Sequence, residues 1–228
     1  MDSALNILEI IVTVGVPAIL AITLHEAAHG YAALAFGDDT AARMGRLSLN
    51  PLRHVDPLGT IVLPAMLVLS KAPFILGWAK PVPVNFMALR SPRRDMVWVA
   101  AAGPLMNIAL AFISAGLIHM AGPEPAGARA WLSDAGANGL VFNVILAVFN
   151  MLPIPPLDGG RVAVGLLPLP AAQRLARLEK YGMFILLGAL IGLPWAGSAV
   201  GVMIDPFGWV VMPVVDAIVS AIAAITSL

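Results

Sequence analysis

The 228 residues are 60% hydrophobic and only 11% charged, with a mean hydropathy of +0.91. A water-soluble domain carries about 25% charged residues, so this chain cannot cover itself in polar side chains and needs a lipid bilayer. Thirteen basic residues balance thirteen acidic ones, which excludes the positive field that nucleic acid binding requires. Cysteine is absent, so His and carboxylate side chains are left to hold any metal ion.

The apolar windows predict an all-α polytopic membrane protein with about five to six transmembrane helices. A span needs roughly 20 apolar residues. The clear windows are residues 5–36, 96–121, 136–151, 181–200 and 207–227. Residues 60–76 are a weaker window because they contain Pro64, Lys71 and Pro73, and we expect a re-entrant hairpin there rather than a full crossing. No separate soluble domain is expected, so residues 1–228 are predicted to form one membrane domain.

The basic residues orient these helices, because Lys and Arg accumulate on the cytoplasmic side of membrane proteins. Eleven of them fall in connections that alternate with basic-poor ones: Arg43, Arg46, Arg53, Lys80, Arg90, Arg93, Arg94, Arg161, Arg174, Arg177 and Lys180. The connection over 122–135 holds only Arg129, and 196–206 holds no basic residue. This pattern predicts an N-terminus outside the cell and a cytoplasmic position for the inner end of the first helix.

The most informative polar residues interrupt the first apolar run, where residues 25–29 read HEAAH. Ionisable groups in hydrocarbon cost at least about 2.5 kcal/mol each and mark function. On a helix, His25 and His29 share one face and can grip a single cation, while Glu26 lies beside it as a free general base. The alternative is that the three line a water-filled cleft without metal.

Catalytic zinc usually has three protein ligands and one open position, so a third ligand must come from elsewhere. Asp158 is the candidate, at the inner end of the segment over 136–160. Pro153 and Pro155 lack backbone donors and keep this stretch irregular, which is tolerated at membrane depth only beside protein or a wet cavity. We therefore expect this segment to line the site, with both prolines binding substrate or ordering the site. Gly159 and Gly160 are expected to turn the chain sharply after the carboxylate. The alternative role for Asp158 is a simple helix cap.

At these residues the chain resembles the site-2 proteases, the zinc intramembrane metalloproteases of peptidase family M50. The HEAAH motif matches their HExxH, and residues 150–159 match their N-x-x-P-x-P-x-L-D-G pattern. The stretches over 50–59, 77–85 and 102–107 resemble a compact bacterial and archaeal branch that lacks a PDZ domain. The last seventy or so residues match only as apolar spans.

The resemblance implies an endopeptidase of transmembrane proteins in a prokaryotic plasma membrane, with its active site toward the cytoplasm. It implies that His25, His29 and Asp158 bind one Zn²⁺ ion and that Glu26 activates water. It also implies that Asn150 contacts substrate or orders the site. The alternative function is a membrane transporter of metal ions or protons, which would spread ionisable residues over several spans. A catalytically inert binder of membrane helices is a third class.

Three further features have two interpretations each. Pro81 and Pro83 keep residues 78–85 extended, so this segment either pairs with an unwound substrate or is a plain interfacial loop. His54 is either structural, or it supports a metal ligand or carries a proton at the site. Asn107 either bonds between helices or points toward the site.

Overall fold

The computed structural model describes residues 7–62, 66 and 79–228, and within these ranges it is helical, with no strand. Four of the described helices are long and apolar enough to cross a membrane: α1 (Ile7–Ala35), α3 (Pro92–Ala121), α4 (Ala128–Asn150) and α7 (Glu179–Ala199). The shorter helices are α2 (Thr40–Arg43), α5 (Asp158–Leu166), α6 (Leu169–Arg177), α8 (Pro206–Val210) and α9 (Met212–Thr226). The prediction of an all-helical polytopic membrane protein is therefore confirmed.

Helix α1 contains one π-helical turn, at Ile11–Gly15, just before Pro17. Proline has no N–H, so it leaves the carbonyl of Thr13 without its usual helical donor. The side-chain Nδ2 of Asn138 in α4 donates to that carbonyl over 3.0 Å. This bond satisfies the backbone inside the membrane and ties α1 to α4.

Helices α3 and α4 pack closely through small residues. A Cβ atom added at Gly136 would lie 2.9 Å from the carbonyl oxygen of Ser114, and one at Gly139 would lie 2.6 Å from the Ser114 hydroxyl. The adjoining core contains Ala111, Ala115, Leu140, Val144, Val211, Val215 and Ile222. Glycines at such positions let helix backbones approach in a membrane, where dispersion contacts replace the hydrophobic effect. Helix α1 packs against this pair.

Several helices differ in their bounds from the predicted windows. Helix α3 begins four residues early, at Pro92, because proline suits the first helical position and the Asp95 carboxylate accepts the N–H of Ser91 over 2.7 Å. Helix α4 begins at Ala128, since Arg129 lowers hydropathy without opposing a helix. The window over 207–227 holds two helices, α8 and α9, with Pro213 near the start of the second. At 15 residues, α9 is about 22 Å long.

The sharp turn expected at Gly159 and Gly160 is wrong, because both residues lie in the first turn of α5. They serve packing instead. A Cβ atom at Gly160 would lie 2.4 Å from the Pro155 nitrogen, and one at Gly159 would clash with the Met151 carbonyl. Their missing side chains let the start of α5 fold back onto the proline-rich turn, which places Asp158.

The two remaining predicted segments are described in part. Residues 79–85 form neither helix nor strand, and they run to a short 3₁₀ turn at Phe86–Ala88. Of the segment predicted as a hairpin over 60–76, all but 60–62 and Met66 lies outside the described residues, as does Trp78.

Candidate metal centre

Two imidazoles from α1 face one another in the protein interior. His25 and His29 are 5% and 9% exposed, and their Nε2 atoms are 3.0 Å apart. Both lie in regular helix after Pro17, so the four-residue spacing puts them on one face, as the sequence predicts.

Asp158 joins this pair from the first residue of α5. Its Oδ2 atom is 3.1 Å from Nε2 of His25 and 3.2 Å from Nε2 of His29. The carboxylate is buried, and no hydrogen bond reaches Oδ2. Three potential ligand atoms from two distant parts of the chain therefore meet at one point.

The outer nitrogen of each imidazole carries the ring hydrogen. Nδ1 of His29 lies 2.7 Å from the carbonyl of Val99, which can only accept, so this nitrogen donates. Nδ1 of His25 lies 2.6 Å from Oδ1 of Asn107. The Asn107 amide donates through Nδ2 to the carbonyl of Ala21, which identifies Oδ1 as the acceptor. In the neutral imidazoles, both Nε2 atoms therefore present lone pairs.

Two lone pairs and a carboxylate oxygen within 3.2 Å repel one another unless a cation lies between them. Two imidazole nitrogens and one carboxylate oxygen are the donor set of a catalytic zinc site. The unbonded Asp158 oxygen and both ring orientations fit Zn²⁺.

Gly103 of α3 lies against both imidazoles. A Cβ atom at this position would be 2.4 Å from Nε2 of His29 and 2.6 Å from Nε2 of His25. The backbone of α3 therefore closes one side of the site, and only glycine leaves room there.

Glu26 lines the same cavity, next to the histidines. Its Oε2 atom accepts the backbone N–H of Val82 over 2.9 Å, so the glutamate is tied to the extended segment over 79–85. A carboxylate offers about four lone-pair positions, and the Val82 amide occupies one of them.

A cavity of about 230 Å³ opens onto the group. Its walls come from α1, the extended segment and the 3₁₀ turn after it, α3, the end of α4, the turn before α5 and the start of α5. The lining residues are His25, Glu26, His29, Pro81, Val82, Val84, Phe86, Val99, Ala100, Asn150, Pro156, Leu157, Asp158 and Arg161. The extended segment thus borders the cavity.

The other predicted site residues are placed differently. Asn150 lines the cavity, while its Nδ2 atom donates to the Leu146 carbonyl of its own helix over 3.0 Å. Pro153 and Pro155 are not among the cavity walls, and Pro156 and Leu157 take that place. His54 is 1% exposed and lies away from the cavity, where its Nε2 atom bonds to the Ser48 carbonyl.

Sequence reasoning missed several residues that shape the centre. Val82 and Val99 contribute backbone atoms, which leave no signature in a residue type. Asn143, whose Oδ1 atom accepts from Asn107 over 2.8 Å, is an amide within an apolar run, and that was an available signal. Arg161 lies one turn after Asp158, with its guanidinium 5.2 Å from the ring centre of Phe86.

A buried group of two imidazoles and a carboxylate, in a chain whose described part has four membrane-length helices, defines a helical membrane metalloprotein. Comparison with known proteins makes the class specific. The model of "Peptidase family M50" matches residues 115–193, which include Asn150 and Asp158. "Putative zinc metalloprotease YwhC" of Bacillus subtilis (strain 168) is 41% identical over 173 residues, covering 74% of this chain and 75% of the relative.

Two further relatives have names that also describe zinc metalloproteases. "Putative zinc metalloprotease Rip2" of Mycolicibacterium smegmatis is 31% identical over 76% of this chain and 64% of its own length. "Putative zinc metalloprotease MJ0611" of Methanocaldococcus jannaschii is 38% identical over 43% of this chain and 40% of its own. No solved structure matches the chain. The chain belongs to peptidase family M50, and it is a zinc metalloprotease.

Proposed function

We propose that this metalloprotease is an intramembrane endopeptidase that hydrolyses peptide bonds within or near transmembrane segments of membrane proteins. The depth of the metal centre carries the proposal. His25 and His29 precede the end of the membrane-length helix α1 at Ala35 by ten and six residues. At 1.5 Å per residue this is about 9–15 Å along the helix, so the site lies below a helix end, inside the span.

In this proposal His25, His29 and Asp158 are the ligands of one Zn²⁺ ion, and Glu26 is the general base. A zinc ion held there supplies a Lewis acid that polarises a peptide carbonyl and makes water acidic near neutral pH. Glu26 accepts the proton of the attacking water on a lone pair that the Val82 amide does not use.

The extended segment over 79–85 is proposed to hold the substrate. A helical substrate must unwind before its carbonyls can react, because helix hydrogen bonds occupy them. Pro81, Val82 and Val84 border the cavity, and the segment forms no helix that a substrate would have to displace. Main-chain pairing with this segment would keep the substrate extended beside Glu26.

Asn150 is proposed to contact the substrate near the scissile carbonyl. Its Nδ2 atom donates one hydrogen to the Leu146 carbonyl, which leaves the second hydrogen of the amide for a substrate carbonyl. The position of Asn150 in the cavity wall supports this role.

The proposed location is a prokaryotic plasma membrane, with the N-terminus outside and the active site toward the cytoplasm. The distribution of Lys and Arg supports this orientation, and relatives from Bacillus and Methanocaldococcus support the kind of cell. The 228 residues are proposed to act as one intramembrane domain.

The test compares wild type with Glu26→Gln in detergent, using zinc content and cleavage of a model transmembrane peptide. We expect the variant to bind zinc like wild type and to lose cleavage by at least about 100-fold, as removal of a general base does. Glu9→Gln makes the same change near the outer end of α1 and should cleave like wild type.

Three results would contradict the proposal. Equal cleavage by wild type and Glu26→Gln would remove Glu26 as the base. Cleavage of a water-soluble peptide but not of the same sequence within a transmembrane helix would remove the intramembrane substrate. Zinc flux into liposomes that is equal in both proteins, without cleavage, would favour the transporter.

A further inference from the structure

Helix α3 contacts the two histidines through positions spaced one helical turn apart. The carbonyl of Val99 takes the Nδ1 hydrogen of His29, and the side chain of Asn107 takes that of His25. Gly103, midway between them, makes room for both rings. Positions four and eight residues apart share a helix face, so one face of α3 matches the four-residue spacing of the histidines on α1.

The Asn107 amide has a single orientation. The side chain is 0% exposed, and its Nδ2 atom donates to the Ala21 carbonyl over 3.1 Å and to Oδ1 of Asn143 over 2.8 Å. A flipped amide would place its oxygen against these two acceptors. Two repulsive contacts in a buried site exclude that arrangement.

Asn143 is oriented in the same way. It is 3% exposed, and its Nδ2 atom donates to the Gly139 carbonyl over 2.8 Å, which leaves its Oδ1 atom to accept from Asn107. The donor-to-acceptor direction of this hydrogen-bond chain, from Asn143 through Asn107 to His25, is therefore fixed by the backbone carbonyls of Gly139 and Ala21. It ends in an Asn107 oxygen that requires hydrogen on Nδ1 of His25.

We propose that Asn107, oriented by Asn143, is a positioning residue that holds His25 in the tautomer whose Nε2 atom binds the metal. The proposal rests on the proposed role of His25 as a zinc ligand. Outer partners of this kind fix the ring and raise the basicity of a ligating histidine. Asn107 thus both bonds between helices and orders the site.

The experiment measures zinc affinity in detergent by competition with a chelator, for wild type, Asn107→Leu and Asn107→Asp. Leucine has a similar volume and no acceptor, so we expect about 10- to 100-fold weaker zinc binding. Aspartate keeps an oxygen facing His25 but turns its second oxygen toward the acceptors of Ala21 and Asn143, so we expect a clearly smaller loss than in Asn107→Leu. Equal losses in both variants would reduce Asn107 to a structural role and overturn the proposal.

Asn143→Ala tests the same hydrogen-bond chain by a milder change. It removes the acceptor that orients Asn107, and we expect a smaller loss of zinc affinity, absent when Asn107 is already leucine. Ser114→Ala is the control, because Ser114 also lies between α3 and α4 but takes no part in these hydrogen bonds to His25. Additive losses from Asn143→Ala and Asn107→Leu would contradict the shared pathway.

Nitrogen-15 spectra of labelled histidine supply a readout that does not depend on activity. The chain has four histidines, so the signals can be assigned by substitution. In metal-free protein we expect His25 to carry hydrogen on Nδ1, and to redistribute it toward Nε2 in Asn107→Leu. An unchanged tautomer in that variant would overturn the proposal.

His25→Ala separates this inference from the proposed metal site. Zinc binding that survives His25→Ala means that the metal site itself is wrong. Zinc binding that is lost in His25→Ala but unchanged in Asn107→Leu and Asn143→Ala means that the site stands and the positioning role fails.

Discussion

At the scale of single residues, the metal centre depends on Gly103, because glycine has no side chain. The two Nε2 atoms lie 2.4 and 2.6 Å from where a Cβ atom of residue 103 would be. Neither ring can retreat, since its opposite nitrogen is held by the Val99 carbonyl or by Asn107. The smallest possible side chain is therefore too large at this position.

We predict that Gly103→Ala weakens zinc binding by at least about 10-fold, comparable to the loss of an outer partner, and reduces cleavage in parallel. Gly116→Ala is a matched control in the same helix, where an added Cβ meets nothing within 4 Å. That change should leave zinc affinity unaltered and stabilise the helix by up to about 1 kcal/mol. Chelator competition and thermal unfolding measure the two effects. Equal zinc affinity in both variants would contradict the close approach.

The sequence alone pointed to His25, Glu26, His29 and Asp158, because the HExxH spacing and an aspartate in an apolar run each have a chemical reason. It left the role of Asn107 open between two interpretations, since the orientation of an amide depends on its neighbours. The structure gives it both contacts at once. The Val99 carbonyl and the Val82 amide could not be predicted, because every residue carries those groups.

At the scale of elements, the extended segment over 79–85 is fixed at several points. Glu26 accepts the Val82 N–H, and Asp38 accepts the Asn85 N–H over 2.6 Å. Arg46 donates to the carbonyls of Lys80 and Pro81. These bonds substitute for a neighbouring strand and keep the segment at the cavity edge.

Asp38 is 1% exposed, and its charge helps to hold the extended segment in place. Burial alone would raise the pKa of its carboxyl group, but hydrogen bonds from Thr40 and Asn85 hold the pKa below its ordinary value. A lowered pKa in the folded state contributes stability above the unfolded pKa of about 3.9. That contribution is lost as the pH falls through the folded value.

We predict that Asp38→Asn destabilises the protein by about 1–3 kcal/mol at neutral pH, because one of the two backbone donors then faces an NH₂ group. The difference from wild type should persist down to about pH 4 and shrink below it. Thermal unfolding in detergent at several pH values measures this. Asp39→Asn is the control, since its ion pair with Arg43 is exposed and worth at most about 1 kcal/mol. A difference that grows toward acid would contradict the assigned shift.

The element positions that the sequence predicted well are those governed by apolar length. The predicted windows 5–36 and 181–200 agree with α1 and α7 to within two residues at the ends that the structure describes. The observed helix starts differ from the predicted ones where hydropathy and helix propensity disagree, as at Arg129. They also differ where a local hydrogen bond stabilises the first turn, as between Ser91 and Asp95. The window over 207–227 divides near Pro213, which cannot donate to the carbonyl four residues earlier.

At the scale of the whole molecule, the positions of the charged residues and of the exposed apolar side chains indicate the same arrangement in the membrane. Large apolar side chains such as Phe184 and Trp195 are each 74% exposed, which suits contact with lipid. Helices α1 and α4 run in the same direction if each described span crosses the membrane once and the connection between α1 and α3 does not cross. The ends of both helices then bring site residues to one side. The histidines and Asp158 meet at that side.

We predict that this side is cytoplasmic, and the absence of cysteine makes the test direct. Ala126→Cys lies in the basic-poor connection between α3 and α4, and Gln173→Cys lies in α6 among Arg174 and Arg177; both positions are exposed. A membrane-impermeant thiol reagent added to intact cells should label the cysteine at 126, and should label the one at 173 only after permeabilisation. Basic residues stay on the cytoplasmic side because translocating them is unfavourable. The reverse pattern would place the metal centre toward the outside and exclude cytoplasmic release of its products.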